Sequence, residues 1–410
     1  MQPSHFVVAQ LGARRHYAVP RILFRAGLLD ALYTDISCAK GWPRILTSLP
    51  RPALPKTVKH LLGRVPDGIP ASHIRHFPAF GLEYARRRFN AKSPTEVTAV
   101  HLWAGETLCR KAIQRGLGGA SAVYGFNSAC LELLEFANRE GRLGVVEQTS
   151  APTEIEEELV GREKERFPGW APSARNLLSA DYAGRVRAEW DTASLILCGS
   201  QFVKDGINAV GGPLQKCVVI PYGGTFSFPN VRDSRRNAPL RALFVGRVCL
   251  QKGVPYLLQA AAKFAVRDLH LRLVGAMEMP EAAQRDVGSA TQLVGPVPRR
   301  EIGAHYAWAD VFVFPSICEG SATVCYEALA AGLPVITTPN AGSVVRDGID
   351  GFIVPTCNPE AIAEKLELLI KDRNLLTWMS TNALQRSRDF TIERYGERLI
   401  GALSSLMKQG

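Results

Sequence analysis

The sequence predicts an α/β protein made of two Rossmann-like halves, and three observations carry that prediction. Residues Asp310 to Thr338 (DVFVFPSICEGSATVCYEALAAGLPVITT) read as strand, loop, helix and strand, which is one βαβ unit of a parallel sheet. The chain opens in the same way, with the apolar run His5 to Leu11 ending at Gly12 ahead of a helical pattern. Between the two, Thr225 to Pro239 (TFSFPNVRDSRRNAP) is polar and aperiodic, and a fresh strand–helix alternation begins at Arg241. At 410 residues the chain exceeds one ordinary core, so two domains are expected: 1–225 and 226–389, with the terminal helix, about 390–410, outside the second.

The 310–338 segment also carries chemistry. Pro315 stops the strand Asp310 to Phe314, Thr323 to Ala331 is rich in helix formers, and Gly332 is placed to cap that helix. In parallel sheets ligands sit at the carboxyl ends of strands, against helix N-termini. Backbone N–H groups from Gly320 to Val324 would face such a ligand and favour an anion. Glu319 stands before this anion site and Glu327 one helical turn beyond it. A nucleotide sugar has the matching layout of ribose, diphosphate and hexose. Two glutamates at this spacing are equally compatible with a solvated helix face, so the reading rests on the motifs around them.

Composition narrows the class. With 46% hydrophobic and 21% charged residues the chain is of ordinary globular type, with no run near the ~18 apolar residues of a membrane span. The N-terminus has no long apolar stretch ending in small residues, so the cytoplasm is the expected location, with contact at the inner membrane face left open. Nine scattered cysteines without a CxxC pair argue for reduced thiols rather than a disulfide framework or a zinc site. The net charge of +11 calls for phosphate-bearing substrates, an anionic membrane or nucleic acid. No nucleic-acid motif is visible and the arginines are not interleaved with stacking aromatics, so nucleic acid is not an expected partner. Lys56 to Arg64 mixes cations with Val58, Leu61 and Leu62 and could lie on an anionic bilayer, or be a solvated basic face.

In chain order, Val19 to Leu32 has helical spacing after the Gly12–Tyr17 loop, and the lack of GxGxxG argues against a dinucleotide dehydrogenase. Residues 36–90 are broken by seven prolines and read as loop with short helices; Thr98 to Trp103 is a strand edge or a helix start. Then come a strand at Val123–Asn127, a helix at Leu131–Arg139, a strand at Leu143–Gln148, a charged helix at Glu154–Arg166 with its polar face exposed, a buried strand at Ser194–Cys198 and a last strand from Cys217. The second half gives strands at Arg241–Gly246, Leu269–Val274 and Thr291–Val294, helices at Gly253–Ala265, Arg299–Ala307 and Glu360–Ile370, and a terminal helix pair over Phe390–Met407.

Three motifs together resemble the family 4 retaining glycosyltransferases, strongly from about 185 to 400 and more weakly before. They are Val245-Gly246-Arg247-Val248-Cys249-Leu250-Gln251-Lys252-Gly253, the Asp310–Gly332 segment with Glu319 and Glu327, and the stretch from Glu189-Trp190-Asp191 through Gly199-Ser200 to Ile220-Pro221-Tyr222-Gly223-Gly224. The resemblance implies the GT-B fold, two facing Rossmann-like domains around a cleft, with a C-terminal helix returning to the N-terminal acceptor-binding domain. It implies that Arg247 and Lys252 hold the donor diphosphate, that Glu327 binds the ribose and Glu319 the donor sugar, and that Gly12, Gly246, Gly320, Ser321, Ala322 and Thr323 contact the donor. Val297, in Gly295-Pro296-Val297-Pro298, would meet the base. Where relatives have Gly-Phe-Gly this chain has Gly320-Ser321-Ala322, and the N-domain strand end common for a histidine is Val146 to Ser150 here. His16 and Thr149 are the alternatives for an acceptor or catalytic contact.

The expected activity is transfer of a hexose from a nucleotide-diphosphate sugar to a glycan or lipid-linked acceptor in cell-surface polysaccharide or glycolipid synthesis. Retention of configuration follows from the resemblance. No cofactor and no metal are expected, because no DxD-type pair lies in a suitable loop and the two cations can neutralise the leaving group. Two alternatives are a nucleotide-sugar 2-epimerase on the same fold and a catalytically silent sugar-nucleotide-binding subunit. The first needs an acid/base constellation that the sequence does not display.

Overall fold

The computed structural model describes residues 5–48, 62–170, 180–226 and 238–409. Its first lobe holds β1 (Phe6–Gln10), α1 (Ala18–Arg25), β2 (Leu29–Thr34), β3 (Ile74–His76), α2 (Pro78–Asn90), α3 (Pro94–Arg115), β4 (Ala122–Phe126), α4 (Leu131–Arg139), β5 (Leu143–Gln148), α5 (Thr153–Arg166), α6 (Ala180–Thr192), β6 (Leu195–Cys198), α7 (Gln201–Ala209) and β7 (Cys217–Val219). The second holds β8 (Leu240–Val245), α8 (Val254–Ala261), β9 (Leu269–Val274), α9 (Glu281–Arg285), β10 (Thr291–Gly295), α10 (Arg299–Trp308), β11 (Val311–Phe314), α11 (Thr323–Ala330), β12 (Val335–Thr337), β13 (Gly351–Ile353), α12 (Pro359–Lys371) and α13 (Arg373–Ser387); α14 (Ile392–Gln409) closes the chain.

Both sheets are parallel, in the orders β3-β2-β1-β4-β5-β6-β7 and β10-β9-β8-β11-β12-β13. Each is doubly wound, with its order reversing beside the first strand of the lobe, between β1 and β4 and between β8 and β11. All five residues of β1 are buried, as a strand covered on both faces requires. Its side chains alternate: Val7 and Ala9 enter one core, whereas Phe6 and Val8 enter the other. That second core is completed by Tyr395, Leu399 and Leu403 of α14, so the terminal helix packs on the first lobe as expected. The chain crosses back beside the outgoing segment, where Gly224 N–H donates to Phe390 O and Ile392 N–H to Gly224 O.

Several sequence expectations are corrected. The helical spacing of Val19–Leu32 covers two elements, α1 and β2, divided by a turn at Gly27 with φ +69°. Residues 78–90 are not loop but the 13-residue α2, begun by Pro78 at a position where the missing N–H costs nothing. Thr98–Trp103 lies inside α3, whose Ser93 cap accepts from Glu96 N–H. The terminal pair is α13 and α14, with Phe390 ending the short turn between them rather than opening a helix. The polar face of α5 is not simply exposed: Glu156 is buried and accepts from Gln251 Nε2 at 3.0 Å, and Tyr256 donates to Glu163, so the helix bridges to the second lobe. The linker reading for Thr225–Pro239 and the bilayer reading for Lys56–Arg64 fall mostly outside the described residues. All nine cysteines are free thiols, eight of them buried.

Candidate functional site

The two reversal points fix where a ligand crevice can form. In the first lobe the carboxyl end of β1 leads into Gly12 (φ +67°), whose N–H donates to Asp35 Oδ1 at 3.0 Å; the space beyond its Cα is open. The carboxyl ends of β4 and β5 meet there too: Asn127 Oδ1 accepts from Thr149 N–H at 3.1 Å and from Thr149 Oγ1 at 2.8 Å. Thr149 Oγ1 also accepts from Arg14 Nη1 at 3.3 Å. In the second lobe β8 ends at Gly246 and β11 at Pro315, so the Arg247–Gly253 and Ser316–Ala322 loops lie side by side. Gln251 O takes the N–H of Ile317 at 2.9 Å and the hydroxyl of Ser316 at 3.2 Å, which locks the two loops together.

The lobes touch where these loops face each other. A β-carbon at Gly320 would stand 2.0 Å from Thr149 O and 2.9 Å from Ser150 Cα, so only glycine allows this backbone-to-backbone approach. Ser200 Oγ of the first lobe donates to Gly320 O from the other side. Beside this contact Lys252 Nζ is ion-paired and hydrogen-bonded to Glu319 Oε1, with both side chains mostly buried. Arg247 contacts neither Glu319 nor Glu327. Its guanidinium donates to Glu278 Oε2 at 3.0 Å and Gln251 Oε1 at 3.1 Å, which holds it in the same loop cluster but turned to another carboxylate.

Glu327 lies on a different wall. Tyr306 OH donates to Glu327 Oε2 at 2.9 Å and Arg299 Nη2 lies 3.7 Å from Oε1. Burial beside that carboxylate pushes the Tyr306 phenol well above its ordinary range, so it stays a donor. Glu327, Thr323, Arg299, Arg15, His16 and Arg21 line one cavity of about 410 Å³ between the lobes, closed behind by the 222–226 crossing segment. Lys252, Glu319 and Arg247 are not among its lining residues. The structure thus sorts the predicted residues into two groups on either side of the α11 N-terminus. Val297 is half-buried against the second core, in the loop that leads to Arg299.

The amides at that N-terminus are not all free. Ala322 N–H already donates to Ala341 O at 3.0 Å and Glu319 N–H to Asn340 O at 3.1 Å, which corrects the expectation that Ala322 presents its amide to a ligand. Ser321 is buried, its hydroxyl bonded to Tyr326 OH at 2.9 Å and to Gly342 O at 3.2 Å, so it supports the loop. Among the described residues no three His, Cys, Asp or Glu side chains cluster as a metal site.

The residue that sequence reasoning missed is Arg15, counted there only in the basic balance. Arg15, His16 and Tyr17 take φ of +47°, +51° and +58°, three successive left-handed residues that carry a Cβ. Such conformations each cost on the order of 1 kcal/mol and persist where the surroundings enforce them. Here they place the Arg15 guanidinium 3.9 Å from the centre of the Tyr222 ring and 4.2 Å from that of Tyr395, with Glu147 Oε1 3.8 Å away. Glu147 is buried and accepts from Tyr124 OH at 2.5 Å and Tyr222 OH at 3.0 Å. One arginine thereby joins the β1–α1 loop, the crossing segment and α14. His16, exposed on the cavity wall, owes its place to the same strained turn.

Comparison with known proteins gives this arrangement a family. Residues 231–386 match the model for glycosyl transferases group 1. The chain is 32% identical over 186 residues to D-inositol 3-phosphate glycosyltransferase 1 of Catenulispora acidiphila, covering 41% of this chain and 44% of that protein. It is 31% identical over 175 residues to the capsular polysaccharide biosynthesis glycosyltransferase CapM of Staphylococcus aureus, covering 40% and 46%. These alignments span less than half the length of the curated relatives. Solved structures extend the likeness of fold over nearly the whole chain. Sucrose-phosphate synthase from Thermosynechococcus elongatus superposes with a TM-score of 0.63 at 16% identity, covering 99% of this chain and 100% of its own. Anabaena HepE in complex with UDP and glucose gives 0.59 at 16%, covering 98% and 100%. The resemblance read from the three motifs therefore stands: residues 231–386 belong to the glycosyl transferases group 1 family, within a two-lobed GT-B fold.

Proposed function

We propose that this protein is a metal-independent, retaining glycosyltransferase that moves a hexose from a nucleoside diphosphate sugar to a glycan or lipid-linked acceptor. The observation that carries the reading is the Lys252–Glu319 pair, set beside the Gly320–Thr149 lobe contact and the N-terminus of α11. When the anomeric carbon–oxygen bond breaks, its electrons stay on the diphosphate, and a cation already fixed there stabilises the departing charge without reorganising. Lys252 supplies that cation, exchanging part of its contact with Glu319 for a donor phosphate oxygen. Arg247, held by Glu278 and Gln251, is the second cation of the same loop. Glu319, released toward the sugar, accepts from hexose hydroxyls, and Glu327, steadied by Tyr306, accepts from the ribose diol. A UDP- and glucose-bound HepE of the same fold supports a nucleotide-sugar donor.

Donor-dependent transfer measured on Lys252→Ala tests the assignment. Loss of one such electrostatic contact lowers kcat by roughly 10²- to 10³-fold, with the thermal melt close to wild type. An unchanged kcat would remove Lys252, and the proposed site with it, from the reaction.

A further inference from the structure

We propose that the outer face of α2, with the neighbouring 3₁₀ turn Trp42–Ser48, docks on an anionic lipid bilayer, so that the acceptor is met at that surface. The clause about the acceptor rests on the transferase reading; the docking surface does not. Helix α2 is amphipathic in both directions. Phe80, Gly81 and Tyr84 are buried against the lobe, while Leu82, Ala85, Arg86 and Phe89 recur at i, i+3, i+4 and i+7 on the opposite side and are all exposed. Phe89 is 87% exposed and Leu82 49%. Trp42 and Ile45, exposed to 46% and 69%, belong to the same sheet edge, since Gly41 lies against the His76 ring at the end of β3, two residues before α2. Among the described residues Phe89 and Ile45 are the two most exposed large hydrophobic side chains, and here both accompany cations.

The charge says what covers the face. Between Pro78 and Lys92 stand Arg86, Arg87, Arg88 and Lys92 against the single carboxylate Glu83, which Arg86 and Arg87 share. Protruding Phe and Leu side chains ringed by arginines match a bilayer interface of negative potential, where rings enter the acyl boundary and guanidiniums meet headgroup phosphates. A protein partner would call for a flat, discharged centre with cations at the rim. The face is also tied to the cleft. Gly81 packs on Ile36 and the Asp35 backbone, and Asp35 accepts the N–H of Gly12 in the site loop. A bilayer-bound α2 sets the first-lobe rim of the cleft at the headgroups, which suits a lipid-linked acceptor. No described helix is long and apolar enough to cross a membrane, so the contact is of the surface kind.

The test is flotation of the purified full chain with phosphatidylcholine vesicles, with and without phosphatidylglycerol, at low and high salt. Binding is expected on the anionic vesicles alone and is expected to fall at high salt. The double variant Leu82→Ser/Phe89→Ser should lower partition at least roughly tenfold, and Arg86→Gln/Arg88→Gln should weaken it on anionic vesicles only. Both pairs are exposed, and unchanged thermal melts would verify the fold. No flotation with anionic vesicles, or flotation that neither variant reduces, overturns the proposal. A dimer in vesicle-free solution that Leu82→Ser/Phe89→Ser dissolves, without vesicle binding, would assign the face to a second copy and overturn it too. Donor hydrolysis without acceptor is measured alongside: vesicle binding without it leaves the surface standing and sinks the transferase reading, and the reverse pattern sinks the surface alone.

Discussion

Replacing Gly320 by alanine probes the lobe contact directly. The added methyl would meet Thr149 O at 2.0 Å, whereas ordinary contact begins near 3.4 Å, so the loops must separate by about 1.4 Å. The obstacle is backbone of the opposite lobe, flanked by Ser150 Cα at 2.9 Å, and no flexible side chain can swing aside. Both lobes keep their own cores, because the strain is relieved by opening the cleft. Opening also stretches the Ser200–Gly320 hydrogen bond, worth about 1 kcal/mol. A displacement of this size at a reacting centre costs on the order of 10²-fold in rate. We therefore expect kcat/KM for donor turnover to fall about 10²-fold, with the melt lowered only slightly. Gly288→Ala is the control, since its β-carbon meets nothing within 4 Å. Activity of Gly320→Ala within a factor of about three of wild type would refute the claim that closure at this point sets the catalytic geometry.

Two further outcomes follow from buried carboxylates. Glu189, fully buried behind α4 and accepting from Ser128 and Cys130 N–H, has its carboxyl pushed up from 4.5 to about 7, chiefly by burial. The folded state therefore holds this proton more tightly than the unfolded chain, and the stability it lends is complete below about pH 4.5 and gone above about pH 7. Wild type should lose about 3 kcal/mol relative to Glu189→Gln across that window, read from urea midpoints; parallel curves for the two proteins would contradict it. Arg15→Met removes the cation facing Glu147 while leaving the strained turn in place, and should cost about 3 kcal/mol in chemical denaturation. A loss under about 1 kcal/mol would mean that Tyr124 and Tyr222 hold the carboxylate unaided.

Periodicity was legible wherever a strand is buried on both faces or a helix has one clean apolar stripe. Leu131–Arg139 and Leu143–Gln148 can be bounded to the residue, and the Asp310–Thr338 unit appears with its loop, helix and second strand in place. Local pattern failed where tertiary contact overrides it. Val19–Leu32 keeps one spacing through a glycine turn, and Glu156 and Glu163 look solvated on a charged helix until the opposite lobe supplies Gln251 and Tyr256. The site was legible as motifs but not as partners. Nothing in the sequence pairs Lys252 with Glu319 across 67 positions while turning Arg247 to Glu278. Arg15 was hidden for the opposite reason, since three consecutive left-handed residues without glycine have no compositional mark.

The most direct check of the account is a thermal-shift series with UDP-, GDP- and ADP-sugars on the wild type and on Glu327→Ala. A ligand held only by the folded state raises the melt in proportion to the logarithm of its occupancy. The account predicts that one nucleotide sugar stabilises the wild type and that Glu327→Ala loses the shift while keeping its own melt. If every nucleotide sugar leaves the wild type unmoved, or the shift survives undiminished in Glu327→Ala, the cleft does not hold an activated sugar by the contacts described.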